Sequence, residues 1–176
     1  MRSRQRLIQA MNRLLQNTEI ENITVQILIT SADVSRGTFY TYFSDKYDLM
    51  NTYFREATHT HMQGVLTDSW QLILTKGSKF FKDNQSYFTE AVKSKGQGSF
   101  LEFWRKDSRQ NVTQGVLLRS KKNELSKHQA QAIDFFVAGY IQLTLNWIEG
   151  GMQQSPSELA AVIYEFMPQV IKQYLW

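Results

Sequence analysis

Proline is almost absent from this sequence, and its scarcity limits the possible folds more than any other feature. Among 176 residues only Pro156 and Pro168 occur, and apolar residues recur three and four positions apart over long stretches. Proline interrupts helices, and this spacing is that of one face of a helix. No alternation typical of strands persists over several residues. We therefore predict an all-α protein.

Composition narrows the possible classes of protein. Cysteine is absent, which excludes disulfides and thiolate metal sites. Apolar residues make up 42% of the chain, enough for a hydrophobic core. No apolar run approaches the ~18 residues that a membrane-spanning helix needs. We expect a mature cytoplasmic protein with no membrane partner.

Residues typical of catalysis or metal binding form no recognisable pattern. His59 and His61 are two positions apart, so on a helix they point to different faces, and His128 is isolated. Glu56 precedes His59 by three positions, which is only a weak metal signal. Neither a phosphate-binding loop nor a Ser/His/Asp pattern is present. We expect no enzyme activity, no metal and no cofactor.

Cap residues divide the start of the chain into short helices. A first helix covers about residues 2–17, Thr24 begins a second that ends near Ala32, and Ser35 begins a third that ends near Phe43. Two short helices joined by a turn of three or four residues form a helix-turn-helix. We predict a small head over residues 1–46 and a larger helical body over residues 47–176.

The third helix has one apolar face and one polar face. Phe39 and Phe43 are four positions apart and face inward, whereas Tyr40 and Tyr42 lie on the flanks. A small, hydroxyl-bearing surface of this kind fits a major groove, and hydroxyls and cations suit phosphates. The predicted DNA contacts are Thr24, Ser35, Arg36, Gly37, Thr38, Tyr40, Thr41, Tyr42 and Lys46.

The first seventeen residues are basic. They carry Arg2, Arg4, Arg6 and Arg13 and no acidic residue, in a chain of net charge +4. Such a patch suits phosphates, but a plain solvated helix end has the same composition. Both interpretations stay open at this point.

The stretch "ITVQILITSADVSRGTFYTYFSDKYDLM" resembles the DNA-binding signature of the TetR family of bacterial transcription regulators. Asp33 departs from the usual glycine. The resemblance implies a homodimer on a palindromic operator, with a body that binds a small-molecule effector and releases repression. The alternative is a helical interaction module that does not read DNA. The matching residues are Thr24, Val25, Leu28, Ala32, Val34, Ser35, Thr38, Phe39, Tyr40, Tyr42, Phe43, Lys46 and Leu49.

The last two long helices are the most apolar. We predict one from Ser126 to Glu149 and one opened by "SPSE", with a kink at Pro168. Their apolar stripes are wider than one intrachain contact needs, which favours a four-helix interface between two copies over burial within one chain. The predicted dimer residues are Ile133, Val137, Ile141, Val162, Phe166 and Val170.

Aromatic residues are concentrated in the middle of the chain. An apolar pocket with a few polar groups is the usual form of a small-molecule site, but rings at helical spacing are also ordinary core. The predicted pocket residues are Phe81, Phe88, Phe103, Trp104, Tyr140 and Trp147.

The C-terminal stretch "FFVAGYIQLTLNWIEGGMQQSPSELAAVI" resembles Firmicute members of the same family. That group includes activators of dihydroxyacetone kinase operons. The resemblance implies a second possibility, a transcriptional activator that works with a protein coactivator.

Overall fold

A computed structural model describes residues 2–61 and 68–174, apart from the side chains of residues 59–61. The described chain is all-α, as predicted, with one 3₁₀ helix at Ile20–Asn22. The α-helices are α1 (Arg2–Leu15), α2 (Val25–Ala32), α3 (Arg36–Tyr42), α4 (Lys46–His61), α5 (Trp70–Asp83), α6 (Gln85–Ala91), α7 (Phe100–Ser120), α8 (Lys127–Glu149), α9 (Pro156–Glu165) and α10 (Gln169–Lys172).

The helices form two compact units. The first unit comprises Met1–His59 with Asn84–Phe103, and the second comprises Thr60–Asp83 with Trp104–Trp176. The first unit thus takes in α6 and the first turn of α7 beside α1–α3. The predicted division after residue 46 concerns function rather than compactness, and it stays a prediction.

Short polar side chains begin most of the helices, as the sequence indicates. The Thr24 hydroxyl accepts a hydrogen bond from the Ile27 amide at 3.2 Å. Ser126 with Gln129, and Ser155 with Glu158, form the two predicted capping boxes. Hydrogen bonds from Ser155 hold the pKa of the Glu158 carboxyl below its usual value. These local bonds satisfy amides that a helix start leaves unpaired.

The prediction of a kink at Pro168 is wrong, because the helix ends before it. Helix α9 stops at Glu165, and Pro168 takes an extended conformation (φ −57°, ψ 134°) that begins α10. Proline disfavours helical geometry in the residue before it and has no amide hydrogen to donate. A new short helix therefore starts at Gln169 instead of a bent continuation.

Aromatic residues make up much of the core of the first unit. The Phe54 ring meets the rings of Phe88 and Phe100 edge-on, with centroids 5.9 and 5.2 Å away. The buried Tyr87 hydroxyl donates to the Met50 carbonyl at 2.7 Å, and burial raises the pKa of this phenol. Helix α6 is thereby held against α4, and it also packs on α1.

The second unit is built on α5, α8 and α9. Helix α5 packs along α9, and the turn between α8 and α9 is fixed by two side chains. Trp147 Nε1 donates to the Gln154 carbonyl at 2.9 Å, and Lys82 Nζ donates to the Met152 carbonyl at 3.0 Å. The "WIEGG" to "SPSEL" stretch is thus a structural turn. Within the described ranges, no helix has the length and hydrophobicity that a membrane span requires.

Candidate nucleic-acid interface

The turn between α2 and α3 is built around Asp33. This residue has a left-handed backbone (φ 49°, ψ 59°), and its amide donates to the Ile29 and Thr30 carbonyls. Asp is among the few residues other than glycine that tolerate this conformation. Arg6 of α1 donates to the Asp33 carboxylate at 3.1 Å and to the Asp33 carbonyl. Helix α1 therefore holds the turn at which α3 begins.

The other arginines of α1 also make contacts within the first unit. Arg13 donates to the Ser31 carbonyl at 3.3 Å, near the end of α2. Arg4 pairs with Glu56 of α4 at 2.5 Å and lies over the Phe43 ring. The structure favours the plainer interpretation of this basic segment, in which these arginines fasten α1 to its neighbours.

Two phenylalanines hold α3 from behind, as predicted. Phe39 is fully buried and Phe43 nearly so, with ring centroids 5.9 Å apart. Tyr40 and Tyr42 remain 50% and 38% exposed. The two phenolic hydroxyls are therefore available to an outside partner.

The outer surface of α3 is open at its first turn. A Cβ added to Gly37 would meet only the Ser35 hydroxyl, at 3.9 Å. The Thr38 and Ser35 hydroxyls lie 2.8 Å apart, and the Thr41 hydroxyl donates to the Gly37 carbonyl at 2.9 Å. Because the Thr38 and Thr41 hydroxyls are engaged, the methyl groups of these two threonines are left for outside contacts. Such a surface lets another molecule approach the helix backbone closely.

Arg36 and Lys46 differ in how far they are committed to their own chain. The Arg36 guanidinium stacks 5.8 Å from the Tyr40 ring centroid and is exposed. Lys46 Nζ donates to the Ile20 carbonyl at 2.8 Å and the Glu21 carbonyl at 3.2 Å. Lys46 therefore fastens the start of α4 to the 3₁₀ helix, and its contact with phosphate stays a prediction. Thr24 is exposed at the start of α2.

The predicted dimer residues do not share one environment. Ile133, Val137 and Ile141 of α8 are at least nine-tenths buried within the chain itself, so they belong to the core. Val162 and Val170 are half-buried. Phe166 is 67% exposed.

Sequence reasoning missed Phe135, which is 72% exposed on α8. A signal was present, because Phe135 lies on the same helix face as Gln131 and Gln142. Phe135 and Phe166 border an open apolar groove of about 380 Å³. Its lining residues are Phe135, Phe136, Gly139, Tyr140, Gln142, Leu143, Ile163 and Phe166.

The six predicted pocket residues are divided between the two units. Phe88 and Phe103 belong to the aromatic core of the first unit, where Phe103 also lies under the Arg55 guanidinium. The second unit holds the remaining four, Phe81, Trp104, Tyr140 and Trp147. Of the six, Tyr140 alone lines the apolar groove.

In the second unit, three rings form a chain. Phe81 lies 4.9 Å from Trp104, which lies 6.2 Å from Tyr140. Burial raises the pKa of Tyr140, whose phenol shares a hydrogen bond with Ser108. In the described part of the chain no three His, Asp or Glu side chains are placed to hold a metal, and the side chain of His59 lies outside that part.

Two family profiles match most of the chain. Residues 7–53 match the profile described as "Bacterial regulatory proteins, tetR family", and residues 68–169 match "Transcriptional regulator C-terminal region" of the same family. The chain belongs to the TetR family. It is a transcriptional regulator with a DNA-binding helix-turn-helix rather than an enzyme, as the sequence predicts.

A transcriptional regulator from another source is similar along nearly the whole chain. An uncharacterized HTH-type transcriptional regulator of Bacillus subtilis (strain 168), YxbF, is 23% identical over 179 residues, which cover 96% of this chain. The chain spans about half the length of that relative, since the match covers 45% of it.

Solved structures with the same fold include two regulatory proteins. The dihydroxyacetone kinase operon activator DhaS superposes with a TM-score of 0.68 and 18% identity, covering 99% of this chain and 98% of its own. A TetR transcriptional regulator from Streptococcus agalactiae 2603V superposes with a TM-score of 0.67 and 20% identity, and the match covers 99% of this chain and 94% of its own. At these identities the likeness concerns the fold.

Proposed function

We propose that this TetR protein binds a palindromic operator in the cytoplasm as a homodimer, and that it represses transcription until a small-molecule effector releases it. The observation that carries the proposal is the outer surface of α3. Gly37 leaves room for close approach, and Arg36, Tyr40, Thr41 and Tyr42 are all exposed around it.

The side chains of α3 divide by what they can offer to DNA. Arg36 is a donor suited to guanine edges, and the threonine methyls suit thymine methyls. The tyrosine hydroxyls suit phosphate oxygens, which position a protein without specifying sequence. We assign base reading to Arg36, Gly37, Thr38 and Thr41, and phosphate contact to Thr24, Ser35, Tyr40, Tyr42 and Lys46.

The groove between α8 and α9 supports the homodimer. Phe135 and Phe166 expose most of their surface to water, although each is a large apolar ring. In a two-fold contact the same patch lies on both chains, so a second copy would bring the same rings to the same groove. We assign the interface to Phe135, Phe166, Val162 and Val170.

The effector site is the least specified part of the proposal. The rings of Phe81, Trp104 and Tyr140 offer an apolar wall, and the buried phenol of Tyr140 offers one polar group. This combination suits a small, largely apolar molecule with a hydrogen-bonding group.

Selection of bound duplexes from a random-sequence library tests operator binding. We expect one enriched palindrome, with half-sites about one helical turn apart, as a two-fold dimer requires. Enrichment of no palindrome would refute the proposal. Arg36→Gln should change the preferred bases, whereas Tyr42→Phe should weaken binding to all sequences alike.

A second candidate function is transcriptional activation with a protein coactivator. The structural likeness to the activator DhaS favours it. A reporter gene placed behind the selected operator distinguishes the two signs of regulation. Lower expression with the protein present supports repression, and higher expression that needs a second host gene supports activation.

A further inference from the structure

The connection between α7 and α8 carries a basic surface that is not among the proposed operator contacts. Lys121, Lys122 and Lys127 are exposed, and Leu118 in the last turn of α7 is 60% exposed. These four residues, all within ten positions of one another, are called the basic corner below. It belongs to the second unit, whereas α2 and α3 belong to the first.

Hydrogen bonds fix the backbone at both ends of this connection. Lys121 ends α7 in a left-handed conformation (φ 53°), and the Lys122 amide donates to the Leu117 carbonyl at 3.2 Å. Five residues later, the capping box of Ser126 and Gln129 begins α8. The basic corner is therefore presented from an ordered backbone, which reduces the entropy lost when a partner binds.

The lysines of the basic corner do not serve their own fold through ion pairs. Within residues 2–61 and 68–174, none of the three has an acidic partner, whereas Lys76 and Lys79 of the same unit pair with Asp68 and Asp83. Lys127 is the first residue of α8, where the helix dipole disfavours a cation. The charges are thus left for an external partner.

We propose that the basic corner docks an acidic protein partner. Carboxylates of the partner pair with Lys121, Lys122 and Lys127, and one of its apolar side chains covers Leu118. One feature favours a protein over a nucleic acid. Leu118 is 60% exposed beside the lysines, and an exposed apolar side chain among charges suits a mixed protein interface rather than a phosphate backbone. The proposal does not depend on operator binding.

Selection from a phage-displayed library of random dodecapeptides on the whole protein tests this proposal. The best peptide is then titrated by fluorescence anisotropy against three variants. One is Lys121→Gln/Lys122→Gln/Lys127→Gln, the second is Leu118→Ser, and the control is Arg105→Gln/Lys106→Gln. The control removes two exposed cations of α7 in the same unit, outside the basic corner.

We expect selected peptides rich in Asp and Glu that also carry Leu, Ile or Phe. The triple variant should bind about tenfold more weakly, because exposed ion pairs each contribute a factor of a few. Leu118→Ser should lower the affinity for the peptide about threefold. The control variant should bind the peptide as the wild type does, and none of the variants should change the operator affinity. Peptides without acidic enrichment, or an equal loss in the control, would overturn the proposal. The proposal would also be overturned if the protein bound a non-operator DNA duplex and only the triple variant bound this duplex more weakly. That result would identify the basic corner as a surface for phosphates.

Discussion

Two aromatic surfaces of this chain differ in what their rings carry at the outer end. On α3 the exposed rings are Tyr40 and Tyr42, and on the groove between α8 and α9 they are Phe135 and Phe166. A tyrosine keeps a polar hydroxyl for a wet, charged partner such as a phosphate backbone, whereas a phenylalanine gains only when water is excluded. The difference points to DNA for the first surface and to a second protein chain for the second.

The largest effect is expected from removing the two phenylalanines. Phe135→Ser/Phe166→Ser should convert the dimer to a monomer in analytical ultracentrifugation, because each two-fold contact contains both rings twice. Operator affinity should fall about a hundredfold, since two linked half-site contacts become independent.

The control for that prediction is Leu72→Ser, which removes a 43% exposed apolar side chain of α5 in the same unit. It should leave both mass and operator affinity unchanged. A double phenylalanine variant that stays dimeric would place the interface elsewhere and would contradict the assignment of the groove to a second protein chain.

Each surface also contains a glycine with open space around its Cα, and the two can be tested as a pair. A Cβ at Gly37 would meet one hydroxyl at 3.9 Å, and a Cβ at Gly139 would meet nothing within 4 Å. Alanine in a helix is favoured over glycine by up to about 1 kcal/mol, so Gly37→Ala should raise Tm. Gly37→Ala should nevertheless weaken operator binding about tenfold, because the methyl group meets the DNA.

Gly139→Ala should instead weaken dimerisation, measured by dilution in the ultracentrifuge. Gly77→Ala is the matched control, since Gly77 also has nothing within 4 Å and, as a residue of α5, belongs neither to α3 nor to the lining of the groove. A lower Tm in Gly37→Ala or Gly77→Ala would contradict the open space around these two glycines, whereas the weaker dimer can lower the Tm of Gly139→Ala.

How much of this fold follows from the sequence depends on whether the physical cause is local. The caps at Thr24, Ser35, Ser126 and Ser155 were predictable, because each bond spans three residues. The inward placement of Phe39 and Phe43 follows from helical periodicity alone. For the same reason, periodicity was enough to predict which side chains of α3 lie on its outer surface.

Features that depend on distant neighbours were not predictable. Arg6 reaches Asp33 across 27 positions, so its role in the turn could not be separated from a phosphate contact. On α8, the wide apolar stripe does not distinguish residues that pack within their own chain from residues that stay on the surface. Three predicted interface residues proved to be core, and Phe135 proved to be surface.

Removing a single hydroxyl from the α3 surface tests the role of the tyrosines. Tyr42→Phe keeps the ring and loses only the polar end, so we expect operator affinity to fall about fivefold and equally on altered operators. Tyr53→Phe is the control, because its hydroxyl already donates to Asn84 within the first unit. If Tyr42→Phe changes base preference, the hydroxyl reads a base and the division of roles fails.

The smallest effect concerns salt. Arg4 and Arg6 pair with acids and Arg13 with a carbonyl, which leaves Arg2 and Arg36 as the cations of α1–α3 without an ion pair or hydrogen-bond partner in the described chain. Arg36 is assigned to base edges, so Arg2 and Lys46 of each protomer are the cations expected on phosphates. With about 0.9 units of slope per phosphate neutralised, the plot of log affinity against log salt for a dimer should have a slope of about −4. Arg2→Gln should reduce the magnitude of this slope by about 2, and Arg105→Gln should not change it. A wild-type slope steeper than about −8 would mean that the α1 arginines exchange their internal partners for phosphates, and that α3 does not rely chiefly on uncharged hydroxyls.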